Sequence, residues 1–228
     1  MLFVKEKNAM EIVRRSVREQ VLEVLRKAIL DHTYPLGSRI NLDELKRSLG
    51  VSNTPLREAI SILEGEGLVE YRQNAGVFVV SPAREEVFLL AQYMMFLVSA
   101  AYDYCVENTD LDGLCRQMEK ELSKQREYVK KKDRYHYALC SNSFDRCLID
   151  RTQNPYLIRS YDKNYALLTL LNAEYAEQEE DSMTVFFRQH EQILEAIRAG
   201  NRDKVHELLK EHYYKKEWIP RDREEKCR

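Results

Sequence analysis

Apolar residues recur at intervals of three and four along most of the chain, the spacing that gathers them on one face of an α-helix. The first such segment, residues 16–30, opens with Ser16 and Glu19, a pair with the form of a capping box. From residue 85 onward the same spacing predicts six helices with short polar connections: 87–106, 111–129, 135–149, 155–175, 183–199 and 202–218. We therefore expect the second half of the chain to be an all-helical bundle.

Shorter elements separated by turn residues are predicted between residues 31 and 80. A short helix covers 42–49, and another begins near Asn53, after a turn at Gly50 and with Pro55 in its first turn. Ser52 precedes this third helix, and its hydroxyl is expected to accept a hydrogen bond from the first backbone amides. Two short β-strands follow and are predicted to form a β-hairpin: 68–71 and 77–80.

The third helix is predicted to have one buried and one exposed face. Asn53, Thr54 and Arg57 share the exposed side of its first turns. A recognition helix keeps its DNA contacts in that position. The residues expected on the buried side are Ala59, Ile60 and Leu63.

The most specific motif of the chain runs from Leu49 to Val69. Its order, Leu-Gly-Val-Ser-Asn-Thr-Pro-Leu-Arg-Glu-Ala-Ile and then Leu-x-x-x-Gly-Leu-Val, resembles the recognition segment of the GntR family of bacterial transcription regulators. The resemblance implies a winged helix-turn-helix DNA-binding domain over residues 1–80, with a further strand at 39–40. The DNA-binding residues that it implies in this segment are Ser52, Asn53, Thr54 and Arg57.

The predicted hairpin matches the wing of that family. Asn74 and Gly76 stand at the wing position that enters the minor groove in relatives. A hairpin turn favours the same two residue types, so both interpretations stay open. Asn53 departs from the family, which usually has Arg there, and fewer cations at the interface imply a different or weaker operator.

The second half of the chain resembles the FCD-type effector domain of FadR-like GntR regulators, an antiparallel bundle that holds a ligand. The resemblance implies a linker over 81–84, an effector-binding and dimerisation domain over 85–220 and a charged tail over 221–228. The expected fold is thus mainly α. The matching residues are Phe144 and Asp145, 152–157, 190–197 and 209–212.

Relatives often bind a divalent metal through Asp and, four residues later, His on one helix, plus one His on each of two later helices. Here the first two positions hold Ser141 and Asp145, while His190 and His212 are retained. One carboxylate and two imidazoles suit zinc, nickel or manganese, with open positions for an acid effector. The alternative is a pocket that binds an organic effector without metal, with the two histidines as polar lining.

The chemistry of the effector is also affected by two substitutions in the first helix of the bundle. Met95 and Ser99 stand where relatives often carry Arg and Glu facing the pocket. Loss of the arginine removes a bidentate clamp for a carboxylate. We therefore expect a small organic effector that is less acidic or more apolar than usual.

Composition limits the class of protein. The 228 residues are 44% hydrophobic and 32% charged, and we expect no apolar run near the roughly 20 residues of a membrane span. The start is too short and too soon charged for a signal peptide, which predicts a cytoplasmic protein with no membrane partner. Its five cysteines form no Cys-x-x-Cys pair and are expected to be reduced.

Charge shows how DNA binding would have to work. The net charge is −2, and residues 1–80 hold 12 Lys and Arg against 11 Asp and Glu. DNA binding must then come from a local arrangement of cations rather than from a large positive field.

These observations predict a homodimeric, ligand-responsive transcription regulator, either a repressor or an activator. It would bind a palindromic double-stranded DNA operator and sense a small-molecule effector in the bundle. One alternative is a protein-interaction adaptor that has lost DNA binding, suggested by Asn53 and the nearly neutral N-terminal half. A metal-dependent enzyme is the other, and the sequence has no nucleophile-base pair, Glu-x-x-His motif or phosphate-binding glycine loop to support it.

Overall fold

A computed structural model of the chain describes residues 16–178 and 182–214. The predicted extension of the last helix to Trp218 and the charged tail at 221–228 lie outside these residues. The N-terminal half contains α1 (Val17–Leu30), β1 (Arg39–Ile40), α2 (Leu42–Leu49), α3 (Asn53–Gly65), β2 (Val69–Arg72) and β3 (Gly76–Val79). The rest contains α4 (Arg84–Asn108), α5 (Leu111–Lys131), α6 (Arg134–Arg151), α7 (Pro155–Gln178), α8 (Ser182–Arg198) and α9 (Arg202–Tyr213).

The N-terminal elements form a winged helix-turn-helix, as predicted. The Ser16 hydroxyl accepts from the Glu19 amide, and the Glu19 carboxylate accepts from the Ser16 amide, so the capping box starts α1. Helix α3 packs against α1 and α2. The three strands pair antiparallel in the order β1-β3-β2, with Val69 opposite Val79. This sheet closes one side of the N-terminal core.

In the turn into α3, Gly50 has the predicted conformation, but Ser52 lacks the predicted capping hydrogen bond. Gly50 adopts the left-handed conformation with φ 64°, which ends α2 as its glycine predicts. Ser52 occupies the N-cap position, but its side chain makes no capping hydrogen bond, so that prediction is wrong. An N-cap hydroxyl accepts from the amide of the second or third helical residue, and the third here is Pro55, which has no N–H.

Helix α4 corrects the expectation that no segment is long and apolar enough for a membrane span. Arg84–Asn108 meets both criteria, with a mean hydropathy of 1.3 in its best window. It packs against α6, α7 and α9, with Met94, Val98 and Tyr102 buried. A core helix passes the same test, which is therefore weak support for a membrane segment. Only 33% of that window is buried, and Leu89, Phe96 and Tyr104 of this helix are exposed.

Helix α6 lies at the centre of the bundle, where it contacts α4, α5, α7 and α8. Half of its residues are buried, including the polar Ser141, Asn142 and Asp145. Buried polar groups need hydrogen-bond partners, and α7 and α9 supply them to the Asn142 side chain and to one oxygen of Asp145. The centre of the bundle thus holds several buried polar side chains of α6.

Candidate functional site

Helix α3 exposes the residues that the sequence assigns to DNA. Its buried residues are Leu56, Ala59, Ile60 and Leu63. Asn53, Thr54 and Arg57 lie exposed on the other side, and Ser52 is exposed at the start. Arg57 makes no ion pair with another residue of the described ranges, so its guanidinium is available to a phosphate or a base edge.

The wing holds Asn74 and Gly76 at its tip, where the turn itself accounts for both residue types. Asn74 has φ 59° and Gly76 has φ 103°, conformations that Asn and Gly tolerate best. The turn closes with a hydrogen bond from the Ala75 amide to the Arg72 carbonyl. A Cβ on Gly76 would lie 3.4 Å from the Nε of Arg39. The geometry therefore favours the turn interpretation, and it adds Arg39, an exposed cation beside the wing that the motif search missed.

A second cluster lies inside the bundle, where Asp145 from α6, His190 from α8 and His212 from α9 converge. Their exposed fractions are 2%, 0% and 7%. One potential ligand atom from each lies within 4.8 Å of the others. Three helices distant in sequence thus bring together the carboxylate and two imidazoles that the sequence singled out.

Two glutamines orient the imidazoles. His190 Nδ1 lies 2.8 Å from the Oε1 of Gln125, and His212 Nδ1 lies 3.0 Å from the Oε1 of Gln189. The Gln125 amide nitrogen donates to the Cys140 carbonyl, which fixes the amide with its oxygen toward His190. An amide oxygen only accepts, so with both amides in this orientation each imidazole donates through Nδ1 and turns Nε2 toward the other ring.

The two Nε2 atoms face each other at 3.3 Å. With a proton already on each Nδ1, two neutral rings would bring two lone pairs together. A shared proton or a cation relieves that repulsion. Metal-bound histidines are oriented in the same way, with the other ring nitrogen donating to an oxygen, so the donor set fits a divalent metal.

Tyr213 holds the carboxyl group of this cluster. Its hydroxyl donates to Asp145 Oδ2 at 2.6 Å, while Asp145 Oδ1 is buried without a hydrogen-bond partner among the described residues. Burial raises the pKa of Asp145 to about 7, and the Tyr213 hydrogen bond opposes that rise. One carboxyl oxygen is thus tied down and the other is left for a proton or a cation.

Aromatic rings flank the histidines and separate them from solvent. Phe144 stacks on His190 with ring centroids 4.3 Å apart, and Phe186 meets His212 edge to face at 5.7 Å. Ser141, four residues before Asp145 on α6, is 5% exposed.

Sequence reasoning missed Tyr213, Gln125 and Gln189. Two of them are sequence neighbours of the histidines. The third, Gln125, interrupts the apolar stripe of α5 after Met118 and Leu122, which was a readable signal of a buried polar role.

Comparison with known families agrees with this architecture. Residues 17–79 match the family model of gntR-type bacterial regulatory proteins, and residues 90–215, over half of the chain, match the FCD domain. The chain belongs to the GntR family. It is a transcriptional regulator with an N-terminal DNA-binding helix-turn-helix and a C-terminal effector-binding FCD domain.

Individual GntR relatives span most of the chain. The Nta operon transcriptional regulator of Aminobacter aminovorans is 30% identical over 76% of this chain and 92% of its own length. The probable D-xylose utilization operon repressor of Paenarthrobacter nicotinovorans is 24% identical over 88% and 87%. These relatives are transcription regulators, not enzymes.

Solved structures share the fold. A GntR transcriptional regulator from Rhodococcus sp. RHA1 has a TM-score of 0.74 at 22% identity, covering 88% of this chain and 95% of that one. E. coli McbR/YncC has a TM-score of 0.69 at 18% identity, covering 88% and 94%.

The hydrogen bond between Tyr213 and Asp145 can be tested by substitution. Tyr213→Phe should lower the free energy of unfolding by about 1–3 kcal/mol, because Asp145 then loses its donor while it stays buried. Urea unfolding followed by circular dichroism measures this. Tyr214→Phe is the matched control, since that half-buried hydroxyl only accepts from the Gln92 amide, and it should cost less. Equal losses in the two variants would contradict the assigned role.

Proposed function

We propose that this GntR regulator binds a palindromic operator as a homodimer and changes its DNA affinity when an effector occupies the cluster of Asp145, His190 and His212. In this proposal residues 1–80 read DNA, 81–84 connect, and 85–220 sense the effector and dimerise. The observation that carries it is the exposed face of α3, which presents Asn53, Thr54 and Arg57 in the family's motif. The protein acts where DNA is, in the cytoplasm.

Local contacts supply the binding energy of each half-site. Arg57 offers two or more donors to phosphate or a guanine edge, and Thr54 and Ser52 offer hydroxyls. Arg39 adds a cation beside the wing. Because the N-terminal half is nearly neutral, two linked half-sites are needed to raise the apparent affinity through effective concentration.

Substitution in α3 tests the DNA contacts. Arg57→Ala should weaken binding to the DNA upstream of the protein's own gene by roughly 1–3 kcal/mol if the guanidinium reads a base. Asn53→Arg should strengthen binding and steepen its salt dependence, since it adds a cation to the DNA face. Fluorescence anisotropy titrations at several salt concentrations measure both. Arg116→Ala, which removes an exposed arginine from the bundle, should leave affinity unchanged; an unchanged Arg57→Ala titration would remove Arg57 from the interface.

The outer face of α4 is the proposed dimer contact in the bundle. Leu89, Phe96 and Tyr104 are 43%, 57% and 45% exposed on this helix. Their spacing of seven and eight residues places them along one stripe, as in helices that pair with a second helix. A helix that is apolar on all sides is normally buried on all sides. In this proposal the stripe of Leu89, Phe96 and Tyr104 packs against a second copy of the chain.

A charge in this stripe tests the dimer. Phe96→Asp should raise the dimer dissociation constant at least about tenfold, because a desolvated carboxylate would face its own copy across the two-fold axis. Sedimentation equilibrium at micromolar protein measures the effect. Val185→Asp changes an equally exposed apolar residue, 50% exposed on α8, and should leave the dimer intact. A dimer that tolerates Phe96→Asp would place the contact elsewhere.

A divalent metal fits the cluster by the nature of its donors. Asp145 Oδ1 and the Nε2 atoms of His190 and His212 would hold it, and the glutamines would keep the rings in position. When bound, the metal would supply positive charge and open coordination positions for an effector oxygen. No Lys or Arg is among the buried residues of the described ranges, so the protein itself offers no buried cation to an acidic effector.

Metal analysis tests this part of the proposal. Protein purified without chelator or affinity tag and incubated with zinc, nickel or manganese should retain about one ion per chain. His190→Ala and His212→Ala should each abolish retention, because only two ligands would remain. His206→Ala is the matched control, since that half-buried histidine pairs with Asp103 away from the cluster and should not affect the metal. Absence of metal from the wild-type protein would favour the metal-free organic pocket.

A further inference from the structure

Helix α7 contributes to the cores of both halves of the protein. Leu170 is fully buried in the hydrophobic cluster of the N-terminal domain, together with residues of α1, α3 and the sheet. His32, just after α1, places its Nδ1 3.1 Å from the Glu174 carboxylate. Tyr161, nine residues before Leu170 on the same helix, is fully buried in the bundle core. One continuous helix therefore completes the core of the DNA-reading domain and that of the sensing domain.

A buried polar network joins α7 to α6 between these two ends. The Asn142 side chain donates to the Thr169 hydroxyl at 2.8 Å and accepts from the Asn172 amide at 2.9 Å. The Asn142 carbonyl accepts from the Tyr161 hydroxyl at 2.7 Å. Asn142 is 1% exposed, and Thr169 and Tyr161 are fully buried. We refer to Asn142, Thr169, Asn172 and Tyr161 as the Asn142 network.

This network lies between the cluster of Asp145, His190 and His212 and the core of the DNA-reading domain. Asn142 lies three residues before Asp145 on α6, and Phe144 between them stacks on His190. Thr169 immediately precedes Leu170 in the core of the DNA-reading domain. The path from the cluster of Asp145, His190 and His212, here called the ligand cluster, to that core thus runs along α6 to Asn142, through its hydrogen bonds to Thr169 and Asn172, and along α7 to Leu170.

We propose that the Asn142 network transmits occupancy of the ligand cluster to the DNA-reading domain, with Asn142 as a positioning residue that makes α7 move with α6. The inference rests on the proposed function and adds the route by which that site regulates DNA binding. A ligand that draws in Asp145 displaces α6. Breaking the buried amide bonds of Asn142 is costly, so α7 follows, and Leu170 shifts in the core that supports α3.

Hydrogen exchange of the full-length chain, with zinc alone as the probe, tests this route. In the wild-type protein zinc should slow exchange severalfold in peptides around 141–145, in 166–174 and in the buried part of α3. Thr169→Val keeps the shape of the side chain and removes the acceptor for Asn142. The variant should keep the zinc response around 141–145 and lose most of the response in α3. Asn172→Ala should act in the same direction if Thr169→Val is poorly folded.

The matched control is Tyr93→Phe. Tyr93 bonds to Ser160 on α7 outside the Asn142 network, so this variant removes a polar contact of α7 and should keep the full response in α3. A merely structural role for the network would change stability in the variants without uncoupling the two responses. Retention of the α3 response in Thr169→Val and Asn172→Ala at the level of Tyr93→Phe would overturn the proposal.

A second perturbation separates this inference from the metal. Asp145→Asn alters the cluster without any ligand, and its effect on exchange in α3 should disappear when it is combined with Thr169→Val. If zinc leaves residues 141–145 unchanged in the wild type, metal binding fails and the Asp145→Asn comparison still decides the route. If zinc slows exchange around residues 141–145 but neither zinc nor Asp145→Asn changes exchange in α3, the route is wrong and the metal site stands.

Discussion

The structure depends on one constraint, which is that α6 carries an ionisable carboxyl group into the centre of the bundle. A buried carboxylate is unfavourable without partners, and burial raises the pKa of Asp145 to about 7. Tyr213 satisfies one oxygen, and the two histidines face the same space. The arrangement is therefore poised to accept a cation or a proton, which is what a ligand-responsive site requires.

In the DNA-reading half, the residues that form the core and those that face DNA are separate. Its core is formed by apolar faces of α1, α3 and the small sheet. The polar residues of α3 that face outward are not part of that core. Such residues can change with the operator without affecting the fold. This explains how Asn53 can replace the usual arginine while the surrounding motif keeps its geometry.

The two halves are not independent units joined only by the segment at 81–84. Leu170 of α7 fills the core of the DNA-reading domain, and Asn142 of α6 is bonded to residues on either side of it. Packed cores resist gradual deformation and tend to switch between discrete arrangements. A change at the ligand cluster therefore has a physical path to the DNA-reading helix.

The sequence by itself predicted most of the elements and singled out three residues that the structure brings together in the bundle. Helical spacing, Gly50 and the capping box at Ser16 are local signals, and they predicted α1, α3 and the exposed position of Arg57. The family motifs pointed to Asp145, His190 and His212, and the structure brings these three side chains together.

Tertiary structure alone decided which groups complete the sites. Tyr213 reaches Asp145 across 68 residues of sequence, and Gln125 reaches His190 across 65. The insertion of Leu170 into the other domain likewise depends on how the helices pack. Ser52 shows that a local signal can also mislead. It stands at the N-cap position but makes no capping hydrogen bond, and Pro55, the third residue of the helix, has no N–H to donate to it. Periodicity fixes which face of a helix is buried, whereas the partner of a buried polar group depends on contacts distant in sequence.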